Sequence, residues 1–261
     1  MTEKPACHER SRVARPLRRV APAELAEALD AHRRWLASGR AGAGRLDLRG
    51  CDLAGAALPS VLLNRAILNR AVLSGARLER AELIGAELEG ARLDRAVLKS
   101  ARLSGANLRR ADLNEARAPY LDAEFADLSE ARLDRADLAG ADLSGAVLAG
   151  ARLAGARLAR ANLRGADLRG ALLTGAELAG AKLGAADLRG ANLAGANLRG
   201  AYLRLARLDD ADLAGADLTG ALWLSQAQLS QARLDDAVRL PAVSEHGGET
   251  PGSRSGAGDD G

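Results

Sequence analysis

The segments ADLSGAVLAG (141–150) and ANLAGANLRG (191–200) each speak one five-residue phrase twice: Ala, a variable and mostly polar residue, Leu, then two small or charged residues. Reading outward from them, the phrase runs without insertion from Leu46 to Ser225. Its central residue falls at 48, 53, 58 and onward to 223, which makes 36 repeats. Of the 35 centres up to 218, 33 are Leu; the exceptions are Ala118 and Ala123, and the last centre is Trp223. Two residues before the centre, 32 of 36 are Ala, the others being Leu46, Cys51, Val61 and Leu121. The residue between is Asp or Asn 15 times and Arg 8 times, and the residue two after the centre is Gly 19 times.

A period of five excludes a helix. At ~100° per residue, successive leucines would turn by ~140° and scatter round the axis. A long strand is excluded as well, because its faces repeat every two residues. The Ala and Leu of one repeat are two apart and share a face of a short extended segment, so both point inward and the polar residue between them points out. The remaining two residues must bend the chain, and Gly serves there because it tolerates positive φ. Short sides joined by corners wind the chain into a solenoid with ladders along its axis and strand neighbours ~4.8 Å apart.

Composition agrees. Among 261 residues there are only five aromatics, Trp35, Tyr120, Phe125, Tyr202 and Trp223, so an aromatic-cored enzyme is disfavoured and Leu with Ala must supply the interior. No stretch reaches the ~18 uncharged apolar residues that cross a bilayer, and the amino-terminal arginines precede no apolar segment of the kind a secretory signal needs. A cytoplasmic location with no membrane contact is expected. The two cysteines, Cys7 and Cys51, are too few and too far apart for a disulfide framework or a zinc site. The three histidines, His8, His32 and His246, all lie outside the repeats, which leaves a histidine-based catalytic centre little to work with. No catalytic residue, cofactor or metal is expected.

The A-[D/N]-L-x-x phrase resembles the pentapeptide-repeat family. That resemblance implies an all-β solenoid, a right-handed quadrilateral β-helix with four repeats per coil, hence about nine coils over 46–225 at twenty residues each. After Trp223 the spacing slips by one residue, and AQLSQ (227–231) and ARLDD (232–236) are expected to continue as a slipped part-coil.

A solenoid must close its two ends. Residues 22–38 read as an amino-terminal capping helix, with Pro22 at its start and Gly39 at its stop. Leu25, Ala28, Leu29, His32 and Leu36 share its inner face, with Trp35 beside them, and His32 is expected to lie on the lid face and not to act as a site residue. At the other end Trp223, Val238, Leu240 and Pro241 are expected to plug the last coil. The expected organisation is a basic disordered arm over 1–20, the capping helix and loop over 21–45, the β-helix over 46–240 and a disordered tail over 241–261. Residues 1–45 carry ten basic and five acidic residues, net +5, in a chain whose net charge is +3.

Departures from so regular a pattern mark candidate sites. In ARAPYLDAEF (116–125), Tyr120 and Phe125 occupy the corner slot where Gly is commonest. They form either a binding patch or a filler folded over the thin core left by Ala118. Near the carboxyl end, four repeats per coil would stack Tyr202 on Leu222, with Leu205 and Leu224 close by. That apolar group is either covered by the tail or is a self-association surface, and the family implies a homodimer through the carboxyl-terminal end.

The functional expectation is a non-catalytic protein-interaction scaffold. The family includes bacterial proteins that protect DNA gyrase and other type II topoisomerases from quinolones, a form of antibiotic resistance, so a topoisomerase is the specific partner implied. A uniform mimic of duplex DNA would be strongly acidic, and this chain is not. Local acidic groups, Glu87, Glu89, Asp112, Glu115, Asp122, Glu124, Asp127 and Glu130, remain to meet a cationic saddle. The alternatives are nucleic-acid or acidic-surface binding through Arg10, Arg12, Arg15, Arg18 and Arg19, or a generic regulatory scaffold with an unknown protein partner. The arm has no interleaved aromatics for base stacking, so direct nucleic-acid binding is not the expected role.

Overall fold

The structure, a computed structural model, describes residues 18–40 and 43–241. Asp47 pairs in parallel with Ile67, Ile67 with Glu87 and Glu87 with Asn107, and the same step of twenty residues continues to the Tyr202–Leu222 pair. Twenty residues are four repeats of five, so every turn of the chain has four sides. Side 1 holds the repeat of Leu48 and every fourth repeat after it; sides 2, 3 and 4 begin likewise at Leu53, Leu58 and Leu63.

The local cause is visible in the hydrogen bonds. Each central residue donates up the ladder, as from Leu143 N to Asn162 O at 2.7 Å, and each polar residue before it donates down, as from Asp142 N to Leu121 O at 2.8 Å. Each corner closes with a bond from the next Ala to the preceding centre, Ala146 N to Leu143 O at 3.1 Å. The residue two after the centre takes positive φ, +64° at Gly145, as a type II turn requires. One donor per repeat, the N–H just after the centre, has no rung of its own. The Asp or Asn before the centre accepts it, as Asp142 Oδ1 does from Ser144 N at 2.9 Å and Asp212 Oδ1 from Ala214 N at 3.0 Å. In several repeats without that residue, the coil below supplies the acceptor: Asn64 for Ile84, Asn69 for Glu89, Asn114 for Asp134 and Asp134 for Ala154. The recurring A-[D/N]-L thus encodes packing and capping together.

Inside, the leucines from Leu63 to Leu218 and the alanines that alternate with them form one continuous buried core. Ala118 and Ala123 lie in that core, and Leu121, in an Ala slot, turns inward to the same place at 3% exposure. Cys51, also in an Ala slot, is buried there too.

At the amino-terminal end, helix α1 (Pro22–Ala37) sits on the first coil. Leu25, Ala28 and Leu29 pack against the core, and His32 and Trp35 are buried, their rings stacked with centroids 5.4 Å apart. His32 Nδ1 accepts from Leu46 N at 3.1 Å, which fixes the neutral tautomer whose Nε2–H donates to Asn64 O at 3.1 Å. The sequence boundary at residue 20 needs correction. Arg18–Arg19 form strand β1, paired in parallel with β2 (Cys51–Asp52), which adds a rung below side 2. The rest of the expected arm, 1–17, and nearly all of the expected tail, from 242, lie outside the described residues.

The carboxyl-terminal closure differs from a slipped part-coil. Trp223 takes φ +60°, two residues early for a corner, and the chain leaves the stack there. Its side chain points outward, 59% exposed, with Arg204 stacked over the ring at 5.9 Å, so it is not the plug. AQLSQ does not form a repeat. Gln226–Leu229 is a short helix, α2, started by a capping box between Ser225 and Gln228, and it buries Leu229. Gln228 Nε2 donates to Leu203 O at 2.9 Å and to Ala206 O at 2.8 Å. Arg233 and Arg239 then pair with Asp212 and Asp217 and occupy the last backbone edges of sides 2 and 3, while Leu234 and Leu240 stay exposed.

Candidate functional site: the outer surface of the rod

Because the interior is filled with Leu and Ala, contacts with other molecules fall to the outward residues. Tyr120 is 65% and Phe125 71% exposed, so neither ring fills the space left by Ala118. The reason is the corner itself. Both residues hold positive φ, +59° and +55°, from which the side chain projects away from the core. Each ring lies along the corner over the glycine of the next coil. A Cβ at Gly140 would meet the Tyr120 ring at 2.9 Å, and one at Gly145 would meet Phe125 at 2.5 Å. The two aromatics therefore flank side 4, with Asp122 and Glu124 between them.

The carboxyl-terminal group is brought together as expected from the stacking. Tyr202 and Leu222 are adjacent rungs of side 4, each 43% exposed, Leu205 stands on the next corner at 72%, and Leu224 packs partly against the core. The tail crosses sides 2 and 3 and leaves Tyr202, Leu205 and Leu222 exposed. The sequence reading missed Trp223 as a member of this group. Its signal was the loss of Leu at a centre just where the count of five ends.

The eight candidate carboxylates do not form one band. Glu87, Glu89 and Asp127 stand on side 1, Glu130 on the corner to side 2, Asp112 on side 2, Glu115 on its far corner, and Asp122 and Glu124 on side 4. Five are ion-paired: Glu87 with Arg45 at 2.6 Å, Glu115 with Arg95 at 3.0 Å, Asp122 with Arg102 at 3.6 Å, Asp127 with Arg109 at 3.3 Å and Glu130 with Arg110 at 2.9 Å. The Arg110 guanidinium lowers the pKa of Glu130, chiefly through its hydrogen bond. At Asp127 burial works against ionisation, but the bonds from Ser129 and Arg109 together hold the pKa below its ordinary value.

Among the described residues, no group of His, Cys, Asp and Glu is arranged to hold a metal ion, and no helix is long and apolar enough to cross a membrane. A cavity of about 410 Å³ lies where α1, β1 and the first coil meet, lined in part by Val20, Ala28, Leu46, Leu48 and Ile67. Arg18 and Glu24, which also line it, are joined by a salt bridge.

Comparison with known proteins adds the lineage. No curated protein sequence matches this chain. Among solved structures it resembles HetL from the cyanobacterium Nostoc, a pentapeptide repeat protein involved in heterocyst differentiation regulation. The two are 31% identical, covering 82% of this chain and 97% of HetL, with a TM-score of 0.42. It also resembles trypsin-treated QnrB1, a plasmid-mediated fluoroquinolone resistance protein, at 23% identity over 70% of this chain and 88% of QnrB1, with a TM-score of 0.60. That second likeness speaks for the fold, a right-handed β-helical solenoid. The pentapeptide-repeat family model matches in 8 copies, over residues 47–83, 76–114, 126–165, 151–190 and 186–222. The stretch between the second and third matches holds the segment in which Leu121 and Ala123 exchange roles. With more than half of its residues matched, this chain belongs to the pentapeptide-repeat family.

Proposed function

We propose that the protein is a non-catalytic scaffold that binds a protein partner along the outside of the rod, and that the partner is a type II topoisomerase such as DNA gyrase. The observation that carries the first part is the continuous Leu and Ala core from Leu63 to Leu218, which leaves the stack no interior for a substrate. Six of the eight candidate carboxylates, all but Asp122 and Glu124, gather on sides 1 and 2 with their corners, where a cationic saddle would approach. Arginines intermix with them, so this surface offers selected acidic contacts and not the unbroken charge of a duplex. Membership of a family that includes a fluoroquinolone resistance protein supports the choice of partner.

The test is a gyrase supercoiling assay with a fluoroquinolone, with and without purified protein. Supercoiling restored by wild type, and weakened by Glu89→Arg with Asp112→Arg, supports the reading. Wild-type protein in molar excess that leaves drug inhibition unchanged rejects the topoisomerase partner.

A homodimer at the carboxyl-terminal end belongs to the same reading. Since Arg233 and Arg239 occupy the last backbone edges of sides 2 and 3, such a dimer uses Tyr202, Leu205, Leu222 and Leu224 laterally. Tyr202→Asp with Leu222→Asp is expected to yield monomer, and an unaltered sedimentation profile would remove that surface from consideration.

A further inference from the structure

Side 4 changes sign along its length. From Arg80, on its edge, to Asp142 its outward residues include Glu82, Asp122, Glu124 and Asp142 against two cations, Arg80 and Arg102. From Arg160, on its edge, to Arg204 they include Arg164 and Lys182 and no carboxylate. Elsewhere on the rod some cations close onto neighbouring carboxylates, as Arg152 does on Asp134 at 2.9 Å and Arg199 on Asp217 at 3.1 Å, while others, among them Arg117, Arg132 and Arg135, form no ion pair within 4.0 Å. Among the described residues, Arg160, Arg164, Lys182 and Arg204 have no ion pair within 4.0 Å, and neither do Glu124 and Asp142.

The basic half also contains a glycine that the backbone does not require. Gly184 lacks the positive φ of the corner glycines, and it sits just after a centre. A Cβ there would be 3.7 Å from Arg204 O and 3.9 Å from Arg164 Cγ. The missing side chain leaves a recess flanked by Arg164 and Arg204, neither of them in an ion pair, with Arg204 lying over the Trp223 ring.

We propose that side 4 is self-complementary. Two copies associate side by side and antiparallel, about a twofold axis that crosses side 4 between the rungs of Leu143 and Leu163. This rests on the homodimer of the reading above and deepens it, giving the second copy a register along the whole of side 4, away from the acidic groups of sides 1 and 2. In this register the Glu124 carboxylate of one copy enters the Gly184 recess between Arg164 and Arg204 of the other. Lys182 faces Asp122, and Arg102 faces the ring of Tyr202. The protruding corner residues meet small ones: Tyr120 opposes Gly180, Phe125 opposes Ala185 and Leu205 opposes Gly105. Ile84 meets Leu224, while Leu222 meets only the stem of Glu82. The arrangement is isologous, so every contact occurs twice, and like charges would oppose one another if the rods ran parallel.

The test uses the full chain and sedimentation velocity over a concentration series. Wild type is expected to dimerise, and Asp122→Lys or Lys182→Glu alone to raise the dissociation constant by about tenfold or more. The double variant is expected to restore it, because each new lysine faces a new glutamate on the other copy. Gly184→Trp, which fills the recess without changing charge, is expected to give monomer with an unchanged circular dichroism spectrum. A monomeric wild type, a dimer indifferent to the single reversals, or a double variant as weak as the singles would overturn the proposal. A dimer that is lost in Tyr202→Asp with Leu222→Asp but indifferent to the reversals would assign association to the carboxyl-terminal group instead.

Discussion

Two adjacent leucines give the inward assignment its sharpest test. Leu172 and Leu173 differ by one position in the repeat. Leu172 is 42% exposed on side 2, and Leu173 is 1% exposed in the core. Both backbone N–H groups are ladder donors, to Ala151 O at 2.9 Å and to Asn192 O at 2.7 Å, so alanine at either position keeps the hydrogen bonds. Leu173→Ala removes packed atoms from a core whose neighbours are held by rungs above and below and cannot collapse into the gap. Such truncations cost about 2–5 kcal/mol. Leu172→Ala removes atoms that are already partly in water and is expected to cost less than about 1 kcal/mol. At about 2–4 °C per kcal/mol for a chain of this size, Leu173→Ala should lower Tm by roughly 4–20 °C and Leu172→Ala by only a few degrees. Thermal unfolding followed by circular dichroism reads both. Equal losses, or a larger loss at Leu172, would refute the alternation of inward and outward positions.

Phe125→Gly is expected to leave Tm unchanged or raise it, since the residue leaves a positive-φ corner that costs about 1 kcal/mol for a side chain; a drop of the size expected for Leu173→Ala would mean that the ring supports the core. Burial is the main cause that lowers the His32 pKa, and its Nδ1 has no room for a proton beside Leu46 N–H. The unfolded chain therefore takes up the proton first, and the helix α1 closure should weaken as pH falls below ~6.5 and level off beneath the folded value. Amide exchange of α1 at pH 7.5 and 5 checks this, and a His32→Leu variant with the same pH dependence would contradict it. Asp217 is depressed to about 2, first by the Thr219 hydroxyl hydrogen bond and then by the Thr219 N–H. Its stabilising contribution should be complete above ~4 and fade as pH falls toward 2, so acid unfolding of Asp217→Asn should lack that component.

The spine of Leu and Ala is legible in the sequence because inward residues face an unvarying environment at every turn, and selection of one small and one large residue at fixed spacing records it. The corner is legible for the same reason, through Gly at positive φ. The capping role of Asp and Asn is encoded just as regularly, yet it shows only when the backbone donors are counted and the one after each centre is found without a rung. The aromatic corners were ambiguous in sequence, because composition alone does not say which way a side chain leaves a positive-φ residue; Tyr120 and Phe125 point outward. The tail misled for a different reason. AQLSQ keeps Ala and Leu two apart, but Ser225 and Gln228 form a capping box, and that local helix signal prevails once the coil ends at Trp223. The pairing of Arg18–Arg19 with Cys51–Asp52 has no sequence signature beyond an exposed ladder edge in need of a partner.

The central claim is that each turn takes four repeats, so that outward residues twenty apart are neighbours across a ladder. Disulfide trapping tests it most directly, in a background with Cys7→Ser and Cys51→Ala. Arg157 and Glu177 are paired rungs of side 3, and parallel neighbours at ~4.8 Å fall within the Cα range a disulfide accepts. Arg157→Cys with Glu177→Cys should oxidise within one chain and raise Tm, whereas Arg157→Cys with Leu172→Cys, three repeats apart on a different side, should stay reduced. Ready oxidation of the second pair and not the first would contradict the four-sided winding.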